Sequence, residues 1–155
     1  AFLRLGLAVL FGGLIGLNRN FHGKAAGLRT HALVALGAAL VMMVALQLEH
    51  PLIQKVSQMN FLVEYNAVSR VMQGILQGIG FIGAGIILHS EAKMKVYGLT
   101  TAASIWIAAL IGIGCGVAEW NIVTAAFILG MAVLTLGGPV EKAFERVFGV
   151  KHEED

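Results

Sequence analysis

The residues best placed to bind a ligand form a basic cluster early in the chain. Arg19, Lys24, Arg29, Thr30 and His31 fall within thirteen residues of one another. The last three lie where a long apolar segment begins, and the free N–H groups of a helix N-terminus attract negative charge. The cluster therefore favours an anion such as a lipid phosphate or a nucleotide phosphate. The alternative is that these are ordinary loop charges that contact anionic lipid.

A group of hydroxyl side chains lies at the start of a later apolar segment. Thr100 and Thr101 open that segment, and Ser104 follows one helical turn further on. The threonine hydroxyls are of the type that caps a helix N-terminus. The functional alternative is that all three hydroxyls and the basic cluster line one pocket.

A third polar group lies within the apolar stretch between residues 70 and 88. At about 100° per residue, Arg70, Gln73 and Gln77 form a stripe about 60° wide on one side of a helix. Polar groups at membrane depth are expected to face protein or water. These side chains are therefore candidates for the lining of a path through the membrane.

The sequence does not favour a metal site or an enzyme. His22 and His31 could share a metal ion, but the sequence places no third ligand beside them. It contains no Gly-x-Ser-x-Gly, His-Glu-x-x-His or phosphate-loop motif, and Cys115 has no nearby histidine in the sequence. We therefore expect no metal, no cofactor and no catalytic residues.

The acidic residues argue against a dedicated magnesium pathway. The chain has nine of them, and none lies inside an apolar segment. Magnesium prefers oxygen ligands in octahedral geometry and gives up its water reluctantly. Backbone carbonyls at broken helices are the remaining alternative.

The composition places the chain among membrane proteins. Hydrophobic residues make up 57% of the sequence and charged residues 13%. The net charge of +2 is too small to indicate a nucleic-acid partner. The lipid bilayer is therefore the expected surrounding of most of the chain.

The apolar segments predict an all-α polytopic bundle of about five transmembrane helices. A span needs about 20 apolar residues, and the candidate spans are about 2–17, 29–48, 71–88, 99–118 and 121–137. Gly137, Gly138 and Pro139 are expected to end the last helix. We therefore predict a transmembrane domain over 1–139 and a short amphipathic tail over 140–155.

The basic residues predict the orientation. Eight of them lie in the first loop, the third loop and the tail, against two in the second and fourth loops. The richer side of a membrane protein is cytoplasmic. The N-terminus is therefore expected in the periplasm and the C-terminus in the cytoplasm.

Glycines predict how the helices pack. In the third segment, Gly74, Gly78 and Gly85 lie within about 40° of one another, and Gly80 and Gly83 lie on the other side. Small residues let membrane helices approach closely. Two such faces predict that the third helix is central, with neighbours on both sides. The same faces would also serve a homodimer.

A second pair of small residues lies in the first segment. Gly12 and Gly16 are four residues apart and therefore share one face of a helix. This spacing predicts a further close helix contact.

Three runs of sequence resemble the MgtC/SapB family of bacterial inner-membrane proteins. They are GKAAGLRTH at 23–31, GIGFIGAG at 78–85 and GLTTAASIW at 98–106. The resemblance implies a five-span domain in the bacterial inner membrane, with a link to growth in low magnesium. For some members it implies survival in host cells, virulence, stress adaptation and restraint of the F-type ATP synthase. Longer members carry a cytoplasmic regulatory domain, so the resemblance is to a short form.

Two positions depart from the family pattern. The family usually has an acidic residue just before the arginine that matches Arg19, and this chain has Asn18. It usually has an aspartate three residues before the arginine that matches Arg70, and this chain has Ala67. Both departures weaken any carboxylate-dependent activity, although Glu64 could replace one carboxylate.

The leading functional hypothesis is a non-enzymatic membrane protein that regulates a membrane partner in adaptation to low magnesium or host stress. It rests on the glycine faces, the basic loop and the lack of a catalytic motif. The alternative is a transporter or channel for a small solute or ion, with Arg29, Arg70, Gln73 and Gln77 along its path.

Overall fold

The fold is a bundle of five long helices. The structure, a computed structural model, describes residues 1–56, 61–88 and 97–148, and their side chains at 1–48, 68–87, 97–144 and 146–148. The helices are α1 (Phe2–Phe21), α2 (Leu28–Val56), α3 (Phe61–Leu88), α4 (Leu99–Val117) and α5 (Trp120–Phe148). Among the described residues, every element is helical. This suits the interior of a membrane, where a helix satisfies its own backbone hydrogen bonds.

Each of the five helices is long and apolar enough to cross a membrane. The candidate spans are Phe2–Phe21, Leu28–Leu48, Val68–Ile87, Leu99–Val117 and Trp120–Phe148. A helix of about 20 residues is about 30 Å long, which matches the hydrocarbon core of a bilayer. The predicted all-α membrane bundle with five spans is therefore confirmed.

The central helix is α4. It contacts α1, α2, α3 and α5, and 56% of its most apolar stretch is buried, against 6% in those of α3 and α5. The prediction that α3 is central is therefore wrong. The physical reason is that α4 carries small residues around much of its circumference, so several neighbours can approach it.

Glycines on α1 and α4 allow both helices to approach the backbone of α2. A Cβ atom on Gly12 would lie 2.6 Å from the carbonyl oxygen of His31, and one on Gly16 would lie 2.6 Å from the Cα of Leu28. On the other side of α2, Gly116 of α4 lies almost as close, since a Cβ on it would be 2.9 Å from the carbonyl oxygen of Ala39. The first of these glycine pairs was predicted to pack, and the structure places it in the α1–α2 interface.

The glycines of α3 are placed differently from the prediction. For four of them, a Cβ would meet none of the described residues within 4 Å: Gly74, Gly78, Gly80 and Gly85. Of the five, only Gly83 is buried, and a Cβ added to it would lie 3.5 Å from the Cβ of Ala102. The inner side of α3 is instead built from large residues such as Val71, Ile75 and Ile79, which pack on α2 and α4. Burial of larger apolar side chains, rather than close backbone approach, therefore joins α3 to the bundle.

The last helix continues further than the sequence predicts. Gly137, Gly138 and Pro139 lie inside α5, which ends at Phe148. Proline removes one helical hydrogen bond but keeps a helical φ, so the helix passes through it. The prediction that these residues end the helix is wrong, and the proposed boundary at 139/140 falls within a helix. Residues 149–155 of the predicted tail lie outside the described part of the chain.

Candidate functional site

A buried group of polar side chains gathers at one end of the bundle, and we call it the polar cluster. It consists of Arg19 near the end of α1, His31 in the first turn of α2, and Thr101 and Ser104 at the start of α4. The short connection between α1 and α2 brings the first two together, and α4 packs against both helices. All four residues are at least 95% buried within a single chain.

Hydrogen bonds join the members of the polar cluster. Arg19 donates from Nη2 to Thr101 Oγ1 at 2.9 Å. His31 lies with Nδ1 at 2.9 Å from the carbonyl oxygen of Gly27 and with Nε2 at 3.0 Å from Ser104 Oγ. Because a carbonyl oxygen can only accept, Nδ1 carries a hydrogen. The cluster thus ties the ends of α1, α2 and α4 together.

The serine at the middle of the cluster has two acceptors for one hydrogen. Ser104 Oγ lies 2.8 Å from the carbonyl oxygen of Thr101 as well as within reach of His31 Nε2. If the hydroxyl donates to the carbonyl, Nε2 must donate to the hydroxyl, and the ring then carries both hydrogens. In the neutral ring, whose hydrogen lies on Nδ1, Nε2 has a free lone pair and competes with the carbonyl oxygen for the hydroxyl hydrogen.

Two buried polar atoms near the cluster have no hydrogen-bond partner among the described residues. They are Nε of Arg19 and Oδ1 of Asn18. Buried polar groups are normally paired, and an orphan costs about 1–3 kcal/mol. The orphans lie on neighbouring residues of α1, where the resemblance implies a carboxylate in place of Asn18.

The remaining residues of the basic loop are not part of the cluster. Four predicted site residues are exposed at the same end of the bundle: Lys24, Arg29, Thr30 and Thr100. The prediction that Thr100 or Thr101 caps α4 is wrong, because its N-cap is Gly98, at φ 90°, with no side-chain hydrogen bond. The Thr101 hydroxyl therefore does not cap the helix, and it accepts a hydrogen bond from Arg19 instead.

The polar stripe on α3 faces away from the bundle. Arg70, Gln73 and Gln77 are exposed, and they share this side of the helix with Gly74 and Gly78. We call this surface, together with Phe81, Ala84 and Gly85, the outer face of α3. It does not meet the polar cluster, so the structure does not join Arg29 and the α3 stripe into one path.

Two further features position the site, and one of them has a signal in the sequence. Gly112 and Gly116 have the same four-residue spacing as Gly12 and Gly16, and they face the backbone of α2. The side chain of Asn20 contacts Gly27 and closes the first loop, which no local pattern indicates. Among the described residues, no group of three or more His, Cys, Asp or Glu side chains could hold a metal ion.

Five apolar helices with their buried polar groups gathered at one end define a polytopic α-helical membrane protein. A family model described as the MgtC family matches residues 5–143. The chain belongs to this family.

The relatives carry names that refer to magnesium or to no function. The chain is 45% identical to Protein SrpB of Synechococcus elongatus, over 87% of this chain and 72% of that protein. It is 40% identical to the Putative magnesium transporter YhiD of Escherichia coli, over 77% of this chain and 53% of that protein. It is 37% identical to Protein MgtC of Salmonella typhimurium, over 82% of this chain and 48% of that protein. The chain therefore spans about half the length of the last two, and no solved structure matches it.

Proposed function

We propose that the protein is a non-enzymatic membrane protein that acts by binding another membrane protein through the outer face of α3. The observation that carries this proposal is the arrangement of α3. Large apolar residues such as Val71, Ile75 and Ile79 face the bundle, whereas Gly74, Gly78 and the two glutamines lie on the exposed side. A helix that faced lipid alone would be expected to have the opposite arrangement.

The energetics favour a protein neighbour over lipid at this face. Lipid tails offer no hydrogen-bond partner to the amides of Gln73 and Gln77, whereas a second helix can pair with them. A row of glycines lets that helix come close enough for its backbone to make contact. By comparison, the exposed residues of α5 include Ile128, Leu129 and Val133, which suit lipid.

We propose the bacterial inner membrane as the location, with the polar cluster at its cytoplasmic end. Arg29, Lys24 and the basic residues at the end of α5 lie at that end, and basic residues are enriched on the cytoplasmic side. The N-terminus would then be periplasmic. Adaptation to low magnesium or host stress is the proposed setting: the name of the YhiD relative refers to magnesium, and the family resemblance implies the link to host stress.

The partner can be a second copy of the chain or a different membrane protein. The F-type ATP synthase is the first candidate, because the family resemblance implies it. A homodimer through the outer face of α3 is the second candidate. Both place a helix over Gly74 and Gly78.

Photocrosslinking in native membranes tests this proposal. Phe81, on the outer face and 83% exposed, is replaced by benzoylphenylalanine, which preserves its aromatic shape. Leu129 on α5, 66% exposed, receives the same group as the matched control. We expect protein adducts from position 81 and lipid adducts from position 129. Lipid adducts alone at position 81 would refute the proposal, and the adduct mass distinguishes a second copy from another protein.

The second candidate function is transport, and the name of the YhiD relative is the observation that favours it. Purified protein in proteoliposomes is tested for flux of magnesium and of monovalent ions. Flux that Gln77→Leu abolishes and Thr124→Val preserves would support a path along α3. The binding proposal predicts no flux with any of these ions.

A further inference from the structure

A cleft lies between the end of α1 and the last third of α5, apart from both the polar cluster and the outer face of α3. Its volume is about 490 Å³, and its lining includes His22, Thr135, Lys142 and Arg146. We call it the basic cleft. The proposed partner-binding face on α3 does not include these residues.

The register of two parallel helices sets the position of the cleft. Phe11 of α1 packs on Phe127 of α5 with ring centroids 4.8 Å apart. The same offset along both helices places His22 level with Gly138, and both residues line the cleft. Phe11 and Phe127 hold the helices together within the apolar part of the bundle, and the cleft opens at the end where the polar cluster lies.

The side chains in the cleft favour a negatively charged ligand. Lys142 and Arg146 are one helical turn apart, so they lie on the same side of α5, and both are exposed. Like charges at this spacing repel one another, and an anion between them removes that repulsion. Arginine in particular binds phosphate oxygens through two parallel hydrogen bonds.

One imidazole nitrogen and the hydroxyl group that line the cleft are already engaged. His22 Nδ1 lies 2.7 Å from the carbonyl oxygen of Asn18, and Thr135 Oγ1 donates to the carbonyl oxygen of Met131 at 2.8 Å. The threonine hydroxyl therefore has no hydrogen left for a ligand. The cleft therefore presents to a ligand chiefly the positive charge of Lys142 and Arg146.

We propose that the basic cleft binds a phosphate group, and that Lys142 and Arg146 are its ligands. The group can belong to the headgroup of an anionic phospholipid or to free phosphate. The apolar part of the cleft lining favours the lipid, because Leu134, Pro139 and Ala143 line the same cleft as the two basic residues. Acyl chains can pack on such a surface while the phosphate lies in the cleft.

Native mass spectrometry of the intact protein in detergent tests the proposal. The protein is titrated with phosphatidylglycerol, phosphatidylcholine or inorganic phosphate at 0.15 M salt. We expect saturable binding of one phosphatidylglycerol per chain. Lys142→Gln with Arg146→Gln should weaken it about 30-fold, because each basic residue near anionic lipid contributes about fivefold.

Matched variants separate the cleft from general surface charge. Lys24→Gln with Arg29→Gln removes the same charge from the same end of the bundle, and Thr135→Val removes only the engaged hydroxyl. Both should change the affinity less than about threefold, because Lys24 and Arg29 do not line the cleft and solvent-exposed charges are screened at this salt, while the Thr135 hydroxyl is already engaged. Thermal melting confirms that each variant is folded.

The outcomes distinguish the two sources of phosphate. Loss of phosphatidylglycerol binding in the cleft variant alone, with no binding of inorganic phosphate, assigns the site to lipid. Binding of inorganic phosphate that the same variant loses assigns it to the free ion. Equal weakening in the cleft variant and in the Lys24/Arg29 variant, or equal binding of phosphatidylcholine, would overturn the proposal.

Discussion

Replacement of Gly112 by alanine tests the packing of α4 against α2 with the smallest possible change. A Cβ at this position would lie 2.9 Å from both the Cα and the carbonyl carbon of Ala35, and still closer to its carbonyl oxygen. Ordinary contacts begin at 3.4 Å, so the two helices would have to separate by at least 0.5 Å. Because the contact is with backbone, no side-chain rotation can relieve it.

The expected cost follows from the effect of overpacking in a closely packed core. Forced shifts of this kind cost about 1–3 kcal/mol. At about 2–4 °C per kcal/mol for a domain of this size, Gly112→Ala should lower the melting temperature by roughly 2–12 °C. Gly112→Leu should prevent folding or lower the melting temperature further.

Gly78 provides the matched control within the same bundle. It lies on the outer face of α3, and a Cβ there would meet no atom within 4 Å in the part of the chain that the structure describes. Gly78→Ala and Gly78→Leu should therefore leave the melting temperature of the purified single chain within about 2 °C, since unconstrained surface substitutions stay within about 0.5 kcal/mol. The assay is thermal unfolding of monomeric protein in detergent, followed by size-exclusion chromatography.

The reasoning would be refuted if Gly78→Leu destabilised the monomer as much as Gly112→Leu. That result would mean that α3, and not α4, lies at the centre of the bundle. A stable monomer that no longer binds its partner is the result expected of Gly78→Leu under the proposed function.

Three further predictions concern single contacts. His31→Leu and Ser104→Ala should each lower the free energy of unfolding by about 1–3 kcal/mol, because each leaves a buried partner unpaired. The double variant should lose about 1 kcal/mol less than the sum of the two single losses. Thermal unfolding of the unmodified protein, the two single variants and the double variant measures this difference. Cys115 is fully buried, so a maleimide should modify it only on unfolding, and rapid labelling of the folded protein would contradict its placement. Arg4→Met should lower the melting temperature, because Arg4 donates to the carbonyl oxygen of Gly116 at 3.0 Å near the end of α4, and an unchanged value would show that this bond does not contribute.

The sequence predicts the fold class because the length of each apolar segment can be read directly from the run of residues, and about 20 apolar residues suffice to span a bilayer. It also predicts that Arg19, His31, Thr101 and Ser104 are polar residues of interest, since each interrupts or borders an apolar segment. Their convergence required the packing of α4 on α1 and α2, which local sequence does not contain.

The error about the central helix has a physical cause. Glycines indicate where another helix can approach closely, but they do not indicate whether that helix belongs to the same chain. On α4, Gly112 and Gly116 meet α2, whereas Gly74 and Gly78 on α3 meet no other part of the chain that the structure describes. Large residues such as Ile75 and Ile79 decided which side of α3 faces inwards.

Labelling of the unmodified protein by a lipid-dissolved diazirine tests most directly whether another protein covers the outer face of α3. Mass spectrometry compares labelling at Gln77 and Phe81 with labelling at Ile128 and Leu129 of α5, in nanodiscs that hold one chain and in native membranes. We predict that both helices are labelled in the nanodiscs, and that in native membranes labelling of α3 falls several-fold while that of α5 persists. Equal labelling of the two helices in native membranes, or protection of α3 in the single chain, would contradict the account.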